Sequence, residues 1–151
     1  MKSKMQIEKE ITEEHYKGVD VSWNLERNRL TLNAELLNRW LYLKIKGKSL
    51  GRYLLERNIC RVAIYGMADL GIRLYEELTN DGVLVKYGID RMPNKVDLRN
   101  KLLIVDASEE FDPDIDMVIV TPVLYFDEIG KLINSKISCP IMSIKDLIWE
   151  V

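Results

Sequence analysis

The stretch Arg61-Val62-Ala63-Ile64-Tyr65-Gly66-Met67-Ala68-Asp69-Leu70-Gly71 decides the fold. The run from Arg61 to Tyr65 is rich in apolar and β-branched residues, which predicts a buried strand, and Gly66 ends it. An amphipathic stretch follows at once, over residues 70–78, and predicts a helix. Strand, glycine turn and helix in direct succession are the beginning of a βαβ unit.

A second predicted strand, residues 83–89, ends in Asp90, about 20 residues beyond Gly71, where nucleotide-binding βαβ units place the acid that binds a ribose. The carboxylate oxygens of Asp90 suit two vicinal hydroxyl groups. Arg91 beside it is a candidate to stack on a base or to contact a phosphate. An Asp that ends a strand is also a common turn residue, so a structural role stays open.

The glycine loop departs from the Gly-x-Gly-x-x-Gly pattern. Gly66 permits the sharp turn and Gly71 the close packing of helix on strand, but Ala68 stands where a second glycine would let a pyrophosphate approach the backbone. Asp69 competes for the N–H groups and the positive helix end that would bind a phosphate. Both a weakened phosphate site and an empty one remain open. The candidate loop residues are Gly66, Met67, Ala68, Asp69, Leu70 and Gly71.

From residue 59 to residue 151 the predicted strands and helices alternate, which is typical of a parallel sheet covered by helices. We expect an α/β fold with a Rossmann-like parallel sheet of five strands in the order 3-2-1-4-5. The predicted strands are 61–65, 83–89, 102–105, 117–120 and 140–143, and the predicted helices are 69–79, 125–135 and 145–149. The connections around the third strand are short for parallel crossovers, so its direction stays open.

The end of the fourth strand supplies further candidate ligand contacts. In the order 3-2-1-4-5, Thr121 and Pro122 flank the point where the strand order reverses, next to the glycine loop. Tyr125 and Phe126 are expected either to line the same crevice or to pack in the core.

The first 58 residues are predicted to be an extension and a helical lead-in. In residues 1–32, the spacing of Ile7, Ile11 and His15 favours a short helix, and the alternation over residues 19–32 favours a hairpin with its turn at 26–29. In the lead-in, residues 33–58, two helices are predicted. Asn33 caps the first, over 34–46, and Gly47 ends it; Ser49 caps the second, which ends at residue 57 before Asn58.

Composition excludes several classes of protein. A formal net charge of −2 argues against a nucleic-acid binder, and without a long apolar run or a signal-peptide pattern we expect a soluble, cytoplasmic protein. Cys60 and Cys139 are placed on strands that are not neighbours, so reduced thiols are expected. The run Asp112-x-Asp114-x-Asp116 lacks the glycine and glutamate of a calcium loop and indicates a solvated loop. We expect no metal site and find no catalytic motif.

The motifs Ile64-Tyr65-Gly66-Met67-Ala68-Asp69-Leu70-Gly71, Tyr87-Gly88-Ile89-Asp90-Arg91, Val120-Thr121-Pro122 and Ile137-Ser138-Cys139-Pro140-Ile141 together resemble a family of bacterial Rossmann-type domains. These domains occur alone or joined to glycosyltransferases and other enzymes of capsule and surface-polysaccharide synthesis. The resemblance covers roughly residues 36–149. It implies a nucleotide-binding module that holds NAD or a nucleotide sugar.

Three functions are consistent with these observations. The first is an accessory nucleotide-binding module in surface-polysaccharide synthesis, without complete catalytic machinery of its own. The second is an NAD-dependent sugar-nucleotide oxidoreductase or epimerase that a partner chain completes. The third is an interaction module with a vestigial ligand site, in which the helices of residues 34–57 dock a glycosyltransferase or a second copy. The residues proposed for that docking surface are Trp40, Tyr42, Lys44, Lys46, Lys48 and Arg52.

Overall fold

The computed structural model describes residues 1, 3–6 and 20–151. The chain divides into two compact units, Met1–Glu35 and Leu36–Val151, of which the second contains the sheet. The helices within residues 20–151 are α1 (Asp20–Ile45), α2 (Leu50–Leu55), α3 (Asp69–Asp81), α4 (Phe126–Asn134) and α5 (Ile144–Glu150). The strands are β1 (Arg61–Tyr65), β2 (Leu84–Asp90), β3 (Ile104–Asp106), β4 (Met117–Val120) and β5 (Ile141–Ser143).

The five strands form one parallel sheet in the order β3-β2-β1-β4-β5, which confirms the predicted α/β fold. The third strand, whose direction the sequence left open, runs parallel to β2: Gly88 pairs with Ile104 and Asp90 with Asp106. It lies at 104–106 rather than at the predicted 102–105. Two short 3-10 turns, Pro93–Lys95 and Asp97–Asn100, make the crossover that an α-helix usually makes.

Each face of the sheet has its own apolar layer, because successive side chains of a strand point to opposite faces. Ala63 and Tyr65 of β1 lie on the face that α4 covers, whereas Val62 and Ile64 face α3. No α-helix follows β2 or β3, so a loop completes the cover of the face that contains Ala63 and Tyr65. The buried residues of that layer are Ala63, Tyr65, Tyr87, Ile89, Ala107, Phe111, Ile115, Val118, Val120, Ile129, Ile133 and Ile137.

The predicted hairpin is wrong for the described part of residues 19–32, since α1 is continuous from Asp20 to Ile45. The helix therefore also begins well before its predicted cap, Asn33. The expected turn at 26–29 contains neither Gly nor Pro, and Arg29 pairs with Glu26 one helical turn away. The alternation of apolar residues did not reflect a buried strand face, because Leu25 and Leu30 are exposed.

Three of the helix-boundary residues predicted in the lead-in, Gly47, Ser49 and Asn58, are confirmed, whereas the cap at Asn33 is not. Ser49 caps α2 by accepting a hydrogen bond from the Arg52 N–H, and both Gly47 and Asn58 have positive φ angles beyond the helix ends. The possible short helix with Ile7, Ile11 and His15 lies outside the described residues. Within the residues described, no helix is long and apolar enough to cross a membrane.

Candidate functional site

The glycine loop between β1 and α3 is held by hydrogen bonds from both neighbouring strands. The Gly66 N–H donates to the Ile89 carbonyl of β2 at 2.8 Å, and the Thr121 hydroxyl, at the end of β4, donates to the Gly66 carbonyl at 2.7 Å. Gly66 adopts a φ of 91°, a conformation that favours glycine. Thr121 is buried, so its role in the described structure is to fasten the loop to β4.

Close packing explains both glycines of the loop. A Cβ atom on Gly66 would lie 2.5 Å from the Thr121 hydroxyl and 2.6 Å from the Pro122 ring. A Cβ atom on Gly71 would lie 2.1 Å from the carbonyl oxygen of Gly66, a backbone atom that cannot move away freely. The spacing that resembles a nucleotide-binding motif is therefore also required by the fold of the loop itself.

Asp90, the predicted ribose-binding acid, ends β2 with its carboxylate turned toward the glycine loop. One oxygen accepts from the Met67 N–H at 3.0 Å and the other from the Met92 N–H at 2.8 Å. A carboxylate offers about four acceptor positions, so these two bonds hold its orientation and leave capacity for a ligand hydroxyl. Asp90 thus stabilises the glycine loop through these bonds, and its carboxylate can still accept further hydrogen bonds.

The other predicted loop residues divide into buried and exposed ones. Met67 is buried under the loop, where its side chain fills the space beside Gly88 that a larger residue would need. Leu70 is buried in the core, whereas Ala68 and Asp69 are exposed at the start of α3. Ala68 makes no side-chain capping bond to the first N–H groups of that helix, and Asp69 lies in the first turn.

A cleft of about 330 Å³ opens beside this loop. It lies at the carboxyl ends of β1, β2 and β4, where the strand order reverses and where open parallel sheets bind ligands. The structure brings four of the predicted site residues together there: Gly66, Asp90, Arg91 and Pro122. The complete lining is Tyr65, Gly66, Asp90, Arg91, Pro122, Tyr125, Glu128 and Ile129.

Sequence reasoning missed three residues of this lining: Tyr65, Glu128 and Ile129. It placed Tyr65 only as the last residue of a strand and the other two only within a helix. The signal for Tyr65 was a hydroxyl-bearing side chain directly before the glycine turn. Tyr125 lines the cleft, which was one of its two expected places, while Phe126 packs against the core.

The polar groups of the cleft are incompletely paired. Tyr65 is 3% exposed, and its hydroxyl has no hydrogen-bond partner in the part of the chain that the structure describes, an arrangement that costs about 1 to 3 kcal/mol in general. Arg91 and Glu128 form no ion pair with any residue of the described ranges. Two carboxylates and one guanidinium make the cleft acidic, so a phosphate about 4 Å from one carboxylate would be repelled by on the order of 1 to 4 kcal/mol.

The amino end of the sheet carries a second charged cluster, which is fully paired. Arg61 forms ion pairs with Asp114 and Asp116, and Lys86 binds Asp112 and Asp114 at 3.0 and 3.1 Å. The backbone N–H groups of Cys60 and Arg61 lower the pKa of Asp116 by donating to its carboxylate. The Asp-x-Asp-x-Asp run is therefore an anchor for two strands. The described residues contain no cluster arranged to hold a metal ion.

Not all residues of the docking surface predicted on the lead-in helices are exposed. Trp40 is buried, and its indole N–H donates to Glu77 at 3.2 Å, so it is a core residue and does not belong to that surface. Lys44 pairs with the same carboxylate at 2.6 Å, and Lys48 donates to the Val151 carbonyl. A groove of about 560 Å³ remains between α1 and α3, with Leu37 and Leu41 exposed beside it.

Comparisons of the chain with protein-family models, with curated proteins and with solved structures found no match.

Proposed function

We propose that this chain is an accessory module that binds a nucleotide-type ligand, either a nucleotide sugar or the nucleoside half of NAD, in bacterial surface-polysaccharide synthesis. The observation that carries the ligand class is the cleft at the switch point, with the Asp90 carboxylate at its edge. The biosynthetic setting rests on the resemblance of the glycine loop and of the Asp90-Arg91 pair to domains that accompany glycosyltransferases.

The distribution of charge supports a particular orientation of that ligand. Hydroxyl groups are favoured next to Asp90 and Glu128, because carboxylates accept hydrogen bonds and repel phosphate. The N–H groups at the start of α3, which Ala68 does not cap with a side chain, and the Arg91 guanidinium are the groups that favour a phosphate. A sugar in the cleft with its phosphate toward the loop satisfies both regions.

The size of the cleft favours half of a dinucleotide over a whole one. Pockets for small ligands span roughly 300 to 1,000 Å³, and this cleft of about 330 Å³ lies at the lower end. The sheet also contains a single strand-loop-helix unit with an Asp at the end of the next strand. These features support binding of one nucleoside or one glycosyl unit, without the second site that hydride transfer requires.

A thermal-unfolding screen tests the proposal. At about 1 mM, a ligand whose Kd is 100-fold lower adds about 2.7 kcal/mol to the free energy of unfolding and raises the Tm by several degrees. We expect such a shift with UDP-glucose, GDP-mannose or NAD. No shift with any of these would overturn the proposal, and turnover of a nucleotide sugar by the isolated chain would overturn its accessory role.

Asp90→Ala, with Asp106→Ala as its control, locates the site. Asp106 ends the neighbouring strand β3, and within the described residues its carboxylate accepts hydrogen bonds only from Ser108, so both variants lose a strand-ending Asp. We expect Asp90→Ala to abolish the ligand-induced shift and Asp106→Ala to retain it, each measured against the Tm of the same variant without ligand. A shift that survives in Asp90→Ala would move the site away from this cleft.

A further inference from the structure

The hydroxyl of Tyr65 is a buried polar group without a partner among the described residues, and Tyr65 is one of the residues that line the cleft. Among the described residues, only two buried side-chain polar atoms lack a hydrogen bond: the Tyr65 hydroxyl and Arg39 Nε. The Arg39 guanidinium lies about 5 Å from the centres of the Tyr42 and Trp149 rings, and these contacts account for its position. No comparable contact accounts for the Tyr65 hydroxyl.

Tyr87, on the same face of the sheet, is a buried tyrosine whose hydroxyl does have a hydrogen-bond partner. It lies on β2 in the same buried cluster, is 2% exposed, and donates its hydroxyl hydrogen to the Asp112 carbonyl at 2.7 Å. It does not line the cleft. Of these two buried tyrosines, Tyr87 lies away from the cleft and has a paired hydroxyl, whereas Tyr65 is a lining residue of the cleft and has an unpaired hydroxyl.

The neighbours of Tyr65 indicate which chemistry this hydroxyl would meet. Asp90 and Glu128 in the same cleft only accept hydrogen bonds, whereas a phenolic hydroxyl both donates and accepts. A ring that carries several hydroxyl groups offers donors and acceptors to all three. Tyr125, which is 42% exposed in the same lining, adds an aromatic surface of the kind that packs against the apolar face of such a ring.

We propose that Tyr65 is a specificity-determining residue whose hydroxyl hydrogen-bonds the sugar ring of the ligand. This inference rests on the proposed function and deepens it, because it states which part of the nucleotide the cleft recognises. The oxygen is covered in this structure. The proposal therefore requires that side chains at the rim of the cleft move when the ligand binds. The ring belongs either to the ribose or to the glycosyl unit of a nucleotide sugar, which offer the same hydroxyl chemistry.

Tyr65→Phe and Tyr87→Phe form a matched pair of variants that test this inference. Each removes one hydroxyl from a buried ring of one layer, and isothermal titration with UDP-glucose, GDP-mannose and NAD measures the consequence for binding. For the probe that the unmodified chain binds, we expect Tyr65→Phe to raise the Kd about tenfold, which is about 1.4 kcal/mol, and Tyr87→Phe to change it less than twofold. Without ligand, the Tm should stay equal or rise in Tyr65→Phe and should fall in Tyr87→Phe.

The outcomes separate the two proposals. If the unmodified chain binds none of the three probes, the proposed function fails and this inference fails with it. If it binds one of them and Tyr65→Phe binds that probe equally well, the proposed function stands and the role of Tyr65 is refuted. A second titration, with UDP or GDP, distinguishes the source of the ring: the effect of Tyr65→Phe persists if the ring is the ribose and disappears if it is the glycosyl unit.

Discussion

The two ends of the sheet contain similar charged residues, but these residues are paired at one end and unpaired within the described chain at the other. At the amino end, Arg61 and Lys86 are surrounded by the three carboxylates of residues 112–116, and each of these charges has a partner. At the carboxyl end, Arg91 and Glu128 share a cleft without forming an ion pair within the described chain. The first cluster fastens strands to a loop, whereas the second retains the capacity to bind something else.

The difference shows that whether polar side chains are already paired indicates a candidate ligand site better than their residue type does. A run of three Asp residues attracts attention in a sequence, but one oxygen of Asp116 accepts from the N–H groups of Cys60 and Arg61, both at 2.9 Å. The carboxyl end contains fewer charges, yet it combines an open cleft with a hydroxyl that lacks a partner. Incomplete satisfaction beside a cavity is the feature that distinguishes the candidate site.

The largest expected effect comes from Gly71→Ala, which tests whether the carboxyl-end loop is rigidly packed. Its new methyl group would lie 2.1 Å from the Gly66 carbonyl, so strand and helix must separate, and we expect a loss of about 3 kcal/mol in the free energy of unfolding. Gly130→Ala in α4 is the control, because nothing lies within 4 Å of its added Cβ atom. Chemical denaturation should show that this control is stabilised by about 0.5 to 1 kcal/mol. Equal stability of the two variants would contradict the described packing.

The fold was predictable because, in the sheet, the apolar pattern of each strand and the residues that end it indicate the same boundaries. β1 and β4 lie where the sequence placed them, since each contains four consecutive apolar residues that are all buried. The hairpin prediction failed because α1 exposes apolar residues that a strand pattern would bury: Leu25 and Leu30, one from each arm of the predicted hairpin, lie exposed on a helix. Alternation over so few residues does not distinguish a strand from such a helix.

The site was predictable only for the residues that the backbone positions. Gly66, Asp90 and Pro122 reach the cleft because strand ends and the strand order place them there. Tyr65 and Glu128 depend on how α4 packs over the sheet, which no local pattern encodes. The absence of a partner for the Tyr65 hydroxyl is likewise a property of the packed core, so it appears only once all neighbours are in place.

A smaller effect is expected at the amino end, from Asp116→Ala. Its carboxylate accepts from two backbone N–H groups and from the Arg61 guanidinium, so we expect a loss on the order of 1 to 2 kcal/mol in the free energy of unfolding at neutral pH. Asp112→Ala is the control, because its carboxylate accepts one backbone bond, from the Asp114 N–H, where Asp116 accepts two, and because Lys86 keeps its contact with Asp114. Urea denaturation should show a smaller loss for Asp112→Ala. An equal loss would mean that the cluster acts through its total charge and not through these backbone bonds.

The same variant has a predicted pH signature. Hydrogen bonds from the Cys60 and Arg61 N–H groups lower the pKa of Asp116 in the folded chain below its value in the unfolded chain. Its contribution is therefore complete above the unfolded-state pKa, near 4, and is lost as the pH falls through the lower folded-state value. Below that range, the stabilities of Asp116→Ala and the unmodified chain should converge. A difference that stays constant down to strongly acidic pH would refute the assigned bonds.

The smallest effect on stability is expected from Arg91→Ala, and its comparison with Arg61→Ala is the most direct test of the contrast between the two ends. Arg91 forms no ion pair within the described residues, so its removal should change the free energy of unfolding by less than about 0.5 kcal/mol. Arg61→Ala breaks the pairs with Asp114 and Asp116 and should lower the Tm. Nucleotide affinity should respond in the opposite order, with a several-fold loss and a weaker salt dependence for Arg91→Ala and no change for Arg61→Ala. If Arg91→Ala instead lowered the Tm as much as Arg61→Ala and left affinity intact, the carboxyl-end arginine would be structural, and the two ends would not differ in the way their pairing indicates.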